Sequence, residues 1–158
     1  LGIEKDKILC ATVSDAVGVP VTSATQAVTD WFRVAGVTKF GLVTPYMGDM
    51  QTQIMEKYAE AGFKCVGEAH LGRDDVFTYA AIGDKIWSDL IREVARSEPQ
   101  AITTMCTNIS GAPLADSMER ETGIPLIDSI SASLWASMRL AGTDPARIRG
   151  WGRMFTAA

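Results

Sequence analysis

Residues 101–109 read Ala-Ile-Thr-Thr-Met-Cys-Thr-Asn-Ile, and this stretch predicts both the fold and the first candidate chemistry. Its apolar and β-branched first half is typical of a buried strand. Ser110-Gly111-Ala112-Pro113, which follows it, predicts a turn that opens a helix. Cys106 would then lie at the carboxyl end of a strand, where open α/β sheets bind their ligands.

The two residues after Cys106 add polar groups at the same strand end. Thr107 and Asn108 supply a hydroxyl and an amide, and a turn before a helix exposes free backbone N–H groups. Together these groups favour an anion such as a carboxylate, and the same positive helix end favours the reactive thiolate form of a cysteine. The alternative is that Cys106 is a small buried hydrophobic residue, as most free cysteines are.

Strands and helices alternate on both sides of this stretch. Alternation of this kind predicts a parallel sheet with right-handed crossovers, in a flavodoxin-like α/β architecture. Ser23 and Ser129 are interpreted as helix N-caps, and the apolar tail 150–155 is expected to dock on the body of the protein. The predicted strands are 19–23, 39–44, 64–71, 101–105 and 124–127, and the predicted helices are 3–17, 24–35, 49–61, 82–96, 112–122 and 130–140.

An internal repeat predicts two pseudo-symmetric lobes. Residues 17–21 (Val-Gly-Val-Pro-Val) and 122–126 (Thr-Gly-Ile-Pro-Leu) each lead through a helix to an Ala-Gly pair. The point that matches Cys106 in the first copy is Leu1, so the N-terminal lobe is expected to be incomplete in this chain. The predicted organisation is a remnant of the N-terminal lobe at 1–36, a second α/β lobe at 37–130, and a C-terminal helix and tail at 131–158 that pack back on the first lobe.

Composition and charge exclude several classes of function. A net charge of −4 without a basic run argues against nucleic acid or an anionic membrane surface as a partner. No apolar run approaches the roughly 20 residues of a membrane span and no leader is recognisable, so a cytoplasmic protein is expected. Three dispersed cysteines and a single histidine, His70, predict neither a disulfide framework nor a metal site. No phosphate-binding glycine pattern is present, and no cofactor is expected.

Several short motifs occur along the chain in a characteristic order and spacing. They are Cys106-Thr-Asn108, Thr44-Pro-Tyr46, the paired Gly-x-Pro segments, Leu134-Trp135 with 140–142 (Leu-Ala-Gly), and the tail 150–155 (Gly-Trp-Gly-Arg-Met-Phe). Together they resemble the aspartate/glutamate racemase superfamily, and most closely its arylmalonate decarboxylase and maleate cis-trans isomerase branch. The resemblance covers essentially the whole chain. It implies cofactor-free enzymes with two pseudo-symmetric α/β lobes, which use one or two cysteines in the cleft to move protons at the carbon beside a carboxylate.

The resemblance also implies roles for particular residues. Cys106 would be the catalytic cysteine of the second lobe, and Thr107, Asn108 and Tyr46 would hold a substrate carboxylate. An apolar wall made by Val76 and Tyr79 would face the substituent on the reacting carbon, as in the decarboxylases.

The sequence therefore predicts a decarboxylase of arylmalonate-like dicarboxylates, in which a thiol protonates an enediolate. Cis-trans isomerisation of maleate and racemisation of an aspartate- or glutamate-type acid remain alternatives, and so does a non-catalytic module that binds a small carboxylate. The expected partner is a small mono- or dicarboxylic acid, and a homo-oligomer is compatible with the sequence.

Overall fold

The computed structural model describes residues 2–156 and contains a four-stranded sheet in which every neighbouring pair of strands is parallel. The spatial order is β2-β1-β3-β4. The predicted parallel α/β architecture is confirmed. The strands are β1 (Lys39–Thr44), β2 (Lys64–His70), β3 (Ala101–Thr104) and β4 (Leu126–Asp128).

Within residues 2–156, six α-helices connect or flank the strands. Their ends agree with the predicted ends to within a few residues because Gly and Pro punctuate the apolar periodicity. Short 3₁₀ helices at Val76–Ala81 and Ala112–Leu114 lie in the loops after β2 and β3. The α-helices are α1 (Ile3–Val17), α2 (Ala24–Val34), α3 (Gly48–Glu60), α4 (Asp84–Ala95), α5 (Ala115–Thr122) and α6 (Ser129–Leu140).

Each face of the sheet carries its own hydrophobic core. Phe40 and Leu42 point to an aromatic core that includes Trp31, Phe32 and residues of α3 and α6, whereas Val43 points to the other core, which α4 and α5 cover. This division follows from the two-residue period of a strand. Burial on both faces explains why β1 and β3 are almost continuously apolar or β-branched.

The C-terminal tail packs against α2, as expected. The indole Nε1 of Trp31 donates a hydrogen bond of 3.0 Å to the carbonyl of Met154, and both Met154 and Phe155 are buried. Trp151 in the same tail is only partly covered, because 46% of the residue is exposed.

The predicted strand at 19–23 is also wrong. Val19–Thr22 is not part of the sheet, and no neighbouring strand pairs with it among residues 2–156. A strand needs a neighbour to bind its N–H and C=O groups, so β-branched residues alone do not form one. Beside this segment, an open groove of about 780 Å³ lies between α1, α2 and α6, and the apolar residues Ile8, Leu9 and Val17 of α1 are exposed.

The register brings residues of all four strands to one edge of the sheet. Thr44 pairs with His70, Val43 with Thr104, and Thr104 with Asp128. The carboxyl ends of all four strands therefore lie side by side, and the loops that follow them meet there.

In the part of the chain that the structure describes, no helix combines the length and apolar character needed to cross a bilayer.

Candidate active site

The candidate site is built from three segments that follow β1, β2 and β3. Backbone hydrogen bonds join the first two: Gly72 N donates to Tyr46 O at 3.1 Å and Arg73 N donates to Pro45 O at 2.9 Å. Met105 N donates to Val43 O at 3.0 Å and joins the third segment to β1. The positions of the side chains on these segments are therefore coupled.

Cys106 lies in the loop after β3, at the carboxyl end of the sheet as predicted. The residue is 8% exposed, and its Sγ accepts a hydrogen bond of 3.4 Å from the backbone N–H of Asn108. The expected helix does not begin next to the thiol, because the loop 105–111 and the 3₁₀ helix at Ala112–Leu114 separate Cys106 from α5. The backbone N–H of Asn108 takes the place of a helix N-terminus beside the sulfur.

Two tyrosines lie beside this thiol. The rings of Tyr46 and Tyr79 meet edge to face with their centroids 6.2 Å apart, and the Tyr79 hydroxyl donates to Arg73 O at 2.8 Å. Burial raises the pKa of Tyr46 well above its ordinary value, and the neighbouring Cys106 thiol adds to the shift. Burial likewise raises the pKa of Tyr79. Both phenols therefore stay protonated at neutral pH, and Tyr46 can present a neutral O–H to an anion next to the thiol.

Asn108 connects the cysteine loop to the segment after β2. Its Nδ2 donates a hydrogen bond of 2.7 Å to the carbonyl of Val76, the first residue of the 3₁₀ helix that also carries Tyr79. Asn108 and Thr107 are exposed, Val76 is half exposed, and Tyr79 is buried. The structure thus brings together all six residues predicted from the sequence, but one N–H of the Asn108 amide already binds a carbonyl. Contact of these residues with a substrate stays a prediction.

Sequence reasoning missed a buried carboxylate beneath the cysteine loop. Asp128 is 0% exposed, and its Oδ1 accepts hydrogen bonds from Ile130 N at 2.8 Å and Ser131 N at 3.2 Å. Asp128 therefore caps α6, and the predicted N-cap Ser129 is wrong, whereas Ser23 does cap α2. The signal was available, since an aspartate directly before a helix is a preferred N-cap.

Asp128 also contacts the end of β3 and the cysteine loop. Its Oδ2 accepts a hydrogen bond of 3.1 Å from Thr104 Oγ1. Gly111 lies so close to this pair that a Cβ at residue 111 would be 2.5 Å from Asp128 Oδ2 and would also overlap Thr104 Oγ1. The loop that carries Cys106 therefore rests on a buried polar pair.

We expect Asp128→Asn to make the protein more stable at pH 8, by about 1 kcal/mol, and this gain to shrink as the pH falls. Burial raises the pKa of Asp128, so the folded state holds a proton more tightly than the unfolded state does. Ionisation above the raised pKa therefore costs stability, and asparagine, which still caps the helix, avoids that cost. Urea unfolding at pH 8, 6 and 5 measures the difference.

Asp128→Ala is the matched control, because it removes the cap as well as the charge. It should lower stability at every pH, by about 1–2 kcal/mol. An Asn variant that is less stable than the wild type, by a margin that grows with pH, would contradict the expected sign.

Within residues 2–156, no group of three or more His, Cys, Asp or Glu side chains is arranged to hold a metal ion. The chemistry that the described residues offer is that of a thiol, a neutral phenol and backbone N–H groups. These features define a parallel α/β protein with a buried cysteine and two tyrosines at the carboxyl edge of its sheet.

Comparison with known proteins places the chain more closely. A family model described as "Arylmalonate decarboxylase" matches residues 2–155. The chain belongs to the arylmalonate decarboxylase family, and the resemblance noted in the sequence is confirmed.

Two curated relatives and one solved structure support this placement. An arylmalonate decarboxylase from Bordetella bronchiseptica is 28% identical over 149 residues, which are 93% of this chain and 62% of that protein. A maleate isomerase from Nocardia farcinica is 25% identical over 135 residues, 85% of this chain and 53% of that protein. A crystal structure of arylmalonate decarboxylase superposes on this chain with a TM-score of 0.88 at 26% sequence identity. The aligned residues are 99% of this chain and 70% of that chain.

The chain thus spans between half and two thirds of the length of these curated relatives. That share agrees with the prediction of an incomplete N-terminal lobe.

Proposed function

We propose that this chain carries the second-lobe half of a cofactor-independent decarboxylase, which acts on small dicarboxylates with an apolar substituent on the α-carbon. The observation that carries the proposal is the buried Cys106 thiol, with the Tyr46 side chain packed in the same cluster at the carboxyl edge of the sheet. The arylmalonate decarboxylase at 28% identity supports the same choice of reaction.

The chemistry follows from these two groups. When the bond between the α-carbon and one carboxylate breaks, carbon dioxide leaves and the electron pair spreads over the remaining carboxylate as an enediolate. Neutral donors that point at its oxygens stabilise that charge, and Tyr46 is such a donor. Cys106 then transfers its proton to the α-carbon, and the thiolate regains a proton from water. The Asn108 N–H at 3.4 Å from Sγ stabilises the thiolate between these two steps.

The apolar surroundings favour a hydrophobic substituent. Tyr79 is buried beside Tyr46, and Val76 lies on the same 3₁₀ helix with its side chain half exposed. An aromatic or alkyl group would find apolar contact there, whereas the second carboxylate of maleate would need another donor.

A maleate isomerase is the second candidate because a relative of that name is 25% identical. Isomerisation would require a nucleophilic cysteine from the other lobe to form a covalent adduct. Racemisation at a carbon beside a carboxylate shares the enediolate with decarboxylation and is the third reaction to test. A module that binds a carboxylate without turnover is the non-catalytic alternative.

Proton NMR in deuterium oxide distinguishes these reactions. The protein expressed from its complete gene is incubated with methylphenylmalonate, phenylmalonate, maleate, aspartate and 2-phenylpropionate. Methylphenylmalonate has no α-hydrogen, so one deuterium in the 2-phenylpropionate product reports the protonation step alone. We expect that product. Fumarate from maleate would favour the isomerase, and α-exchange of aspartate without loss of carbon dioxide would favour a racemase. Binding without any reaction would favour the module.

A further inference from the structure

A second set of buried polar side chains lies directly behind the Tyr46 turn. Gln51 of α3 is 1% exposed and Thr44 at the end of β1 is 0% exposed. Thr44 Oγ1 donates to Gln51 Oε1 at 2.6 Å, and Gln51 Nε2 donates to Glu68 Oε2 at 2.9 Å. Thr44 Oγ1 also accepts a hydrogen bond of 3.3 Å from the backbone N–H of Tyr46.

The direction of each hydrogen bond in this network follows from Glu68, which lies at the end farthest from Tyr46. An ionised carboxylate only accepts, so Glu68 selects the NH₂ side of the Gln51 amide. The amide oxygen must then face Thr44, and it takes the single proton of that hydroxyl. A lone pair of Thr44 Oγ1 is left to accept the N–H of Tyr46. His70 also contacts Glu68: its ring nitrogen Nδ1 lies 2.9 Å from the same carboxylate oxygen.

The carbonyls of the turn have other partners. Gly72 and Arg73 bind the carbonyls of Tyr46 and Pro45 through their own backbone N–H groups. Thr44 is the side chain that binds the amide of Tyr46, and Gln51 sets the orientation of the Thr44 hydroxyl.

We infer that Thr44 and Gln51 are positioning residues, which hold the backbone of Tyr46 so that its side chain stays packed beside Cys106. The inference rests on the proposed function only for its effect on turnover; the orientation of the Tyr46 amide is a property of the folded chain. Because a small displacement of a donor weakens its bond to a developing charge, loss of this network should lower kcat more than it changes KM.

The test compares Thr44→Val with Thr44→Ser in the protein expressed from its complete gene. Valine has the shape of threonine without the hydroxyl, whereas serine keeps the hydroxyl and loses a methyl group. We expect Thr44→Val to reduce kcat on methylphenylmalonate about 10-fold or more, with KM within about 3-fold, and Thr44→Ser to restore most of the loss.

Thr103→Val is the matched control, because it makes the same substitution at another fully buried threonine. Thr103 is also 0% exposed, and its Oγ1 donates to Ile127 O at 2.9 Å on the neighbouring strand, away from Tyr46. Its kcat should stay within about 2-fold of the wild type, even if its stability falls as much as that of Thr44→Val. Equal losses of kcat in Thr44→Val and Thr103→Val, or in Thr44→Val and Thr44→Ser, would overturn the inference.

A second readout does not depend on turnover. Hydrogen exchange of the Tyr46 amide, measured by NMR, should be about 10-fold or more faster in Thr44→Val than in Thr44→Ser, since only the serine variant keeps the acceptor. If none of the acids reacts but this difference is present, the proposed function fails and the positioning network stands. Equal exchange rates in the two variants would overturn the network whatever the activity.

Discussion

Cys106→Ala is expected to lower kcat on methylphenylmalonate by at least about 10³-fold, the loss that follows when a positioned general acid is removed. Among the described residues, no group beside the thiol can replace it as the source of the proton. Tyr46 is the nearest alternative, but burial and its contact with Cys106 raise the pKa of its phenol, so that it holds its proton too tightly to deliver it to carbon.

Cys106→Ala should leave substrate binding nearly unchanged. The donors proposed for the carboxylate, Tyr46 and the residues after Cys106, are unchanged, so the Kd of a non-reactive arylacetate should stay within about 3-fold of the wild-type value. Quenched NMR assays give kcat, and calorimetric titration gives Kd. A variant that retains more than about a tenth of the wild-type kcat would remove Cys106 from the mechanism.

The other two cysteines supply matched controls. Cys10 lies in α1, outside the three segments of the site, and Cys65 lies on β2 with its Sγ 3.3 Å from Gly67 O. Burial raises the pKa of Cys65 to about 11, so this residue stays a thiol at pH 8 and reacts slowly with iodoacetamide. Cys10→Ala and Cys65→Ala should both retain wild-type kcat, because neither touches the candidate site.

Gly111→Ala is expected to have the second largest effect, through packing. Gly111 has φ −78° and ψ −42°, angles that alanine adopts readily, so the backbone itself does not oppose the change. The added methyl group would lie 2.5 Å from Asp128 Oδ2 and would overlap Thr104 Oγ1, and both of these neighbours are fully buried. Since neither can move away without losing a hydrogen bond, the unfolding free energy should fall by about 3 kcal/mol.

The same substitution should also reduce turnover, because the loop must shift to relieve the overlap and Cys106 moves with it. Urea unfolding measures the stability loss, and kcat on methylphenylmalonate measures the displacement of the thiol. Gly83→Ala is the matched control: Gly83 has φ −69°, and among the described residues nothing lies within 4 Å of the place that its Cβ would take. Its stability should change by less than about 1 kcal/mol and its kcat should not change. A Gly111 variant that behaves like the Gly83 variant would show that the loop can adapt.

Local patterns were sufficient for most of the fold. The residues of β1 were predicted without error, and α2, α3 and α6 began or ended within a residue or two of their predicted positions. Each is a short apolar or amphipathic run ended by Gly or Pro, and such signals are contained within the element itself. The same reasoning placed Cys106 at a strand end, since β3 and the polar residues after it are adjacent in the sequence.

Tertiary structure decided the features that depend on distant residues. Val19–Thr22 has the composition of a strand, but it has no neighbouring strand among the described residues and stays outside the sheet. Asn108 looked like a free donor, yet its amide binds the carbonyl of Val76, 32 residues earlier in the chain. Gln51 and Asp128 look like ordinary polar residues in the sequence and are almost completely buried in the fold.

The physical reason is the same in each case. Periodicity and turn residues report the backbone preference of a few neighbouring residues, and they determined the order of strands and helices in this protein. A hydrogen bond between side chains of separate elements depends on the register and packing of the whole sheet. The sequence alone therefore determined the architecture and the location of the thiol, whereas only the tertiary structure decided which polar groups surround that thiol and which are already bound to one another.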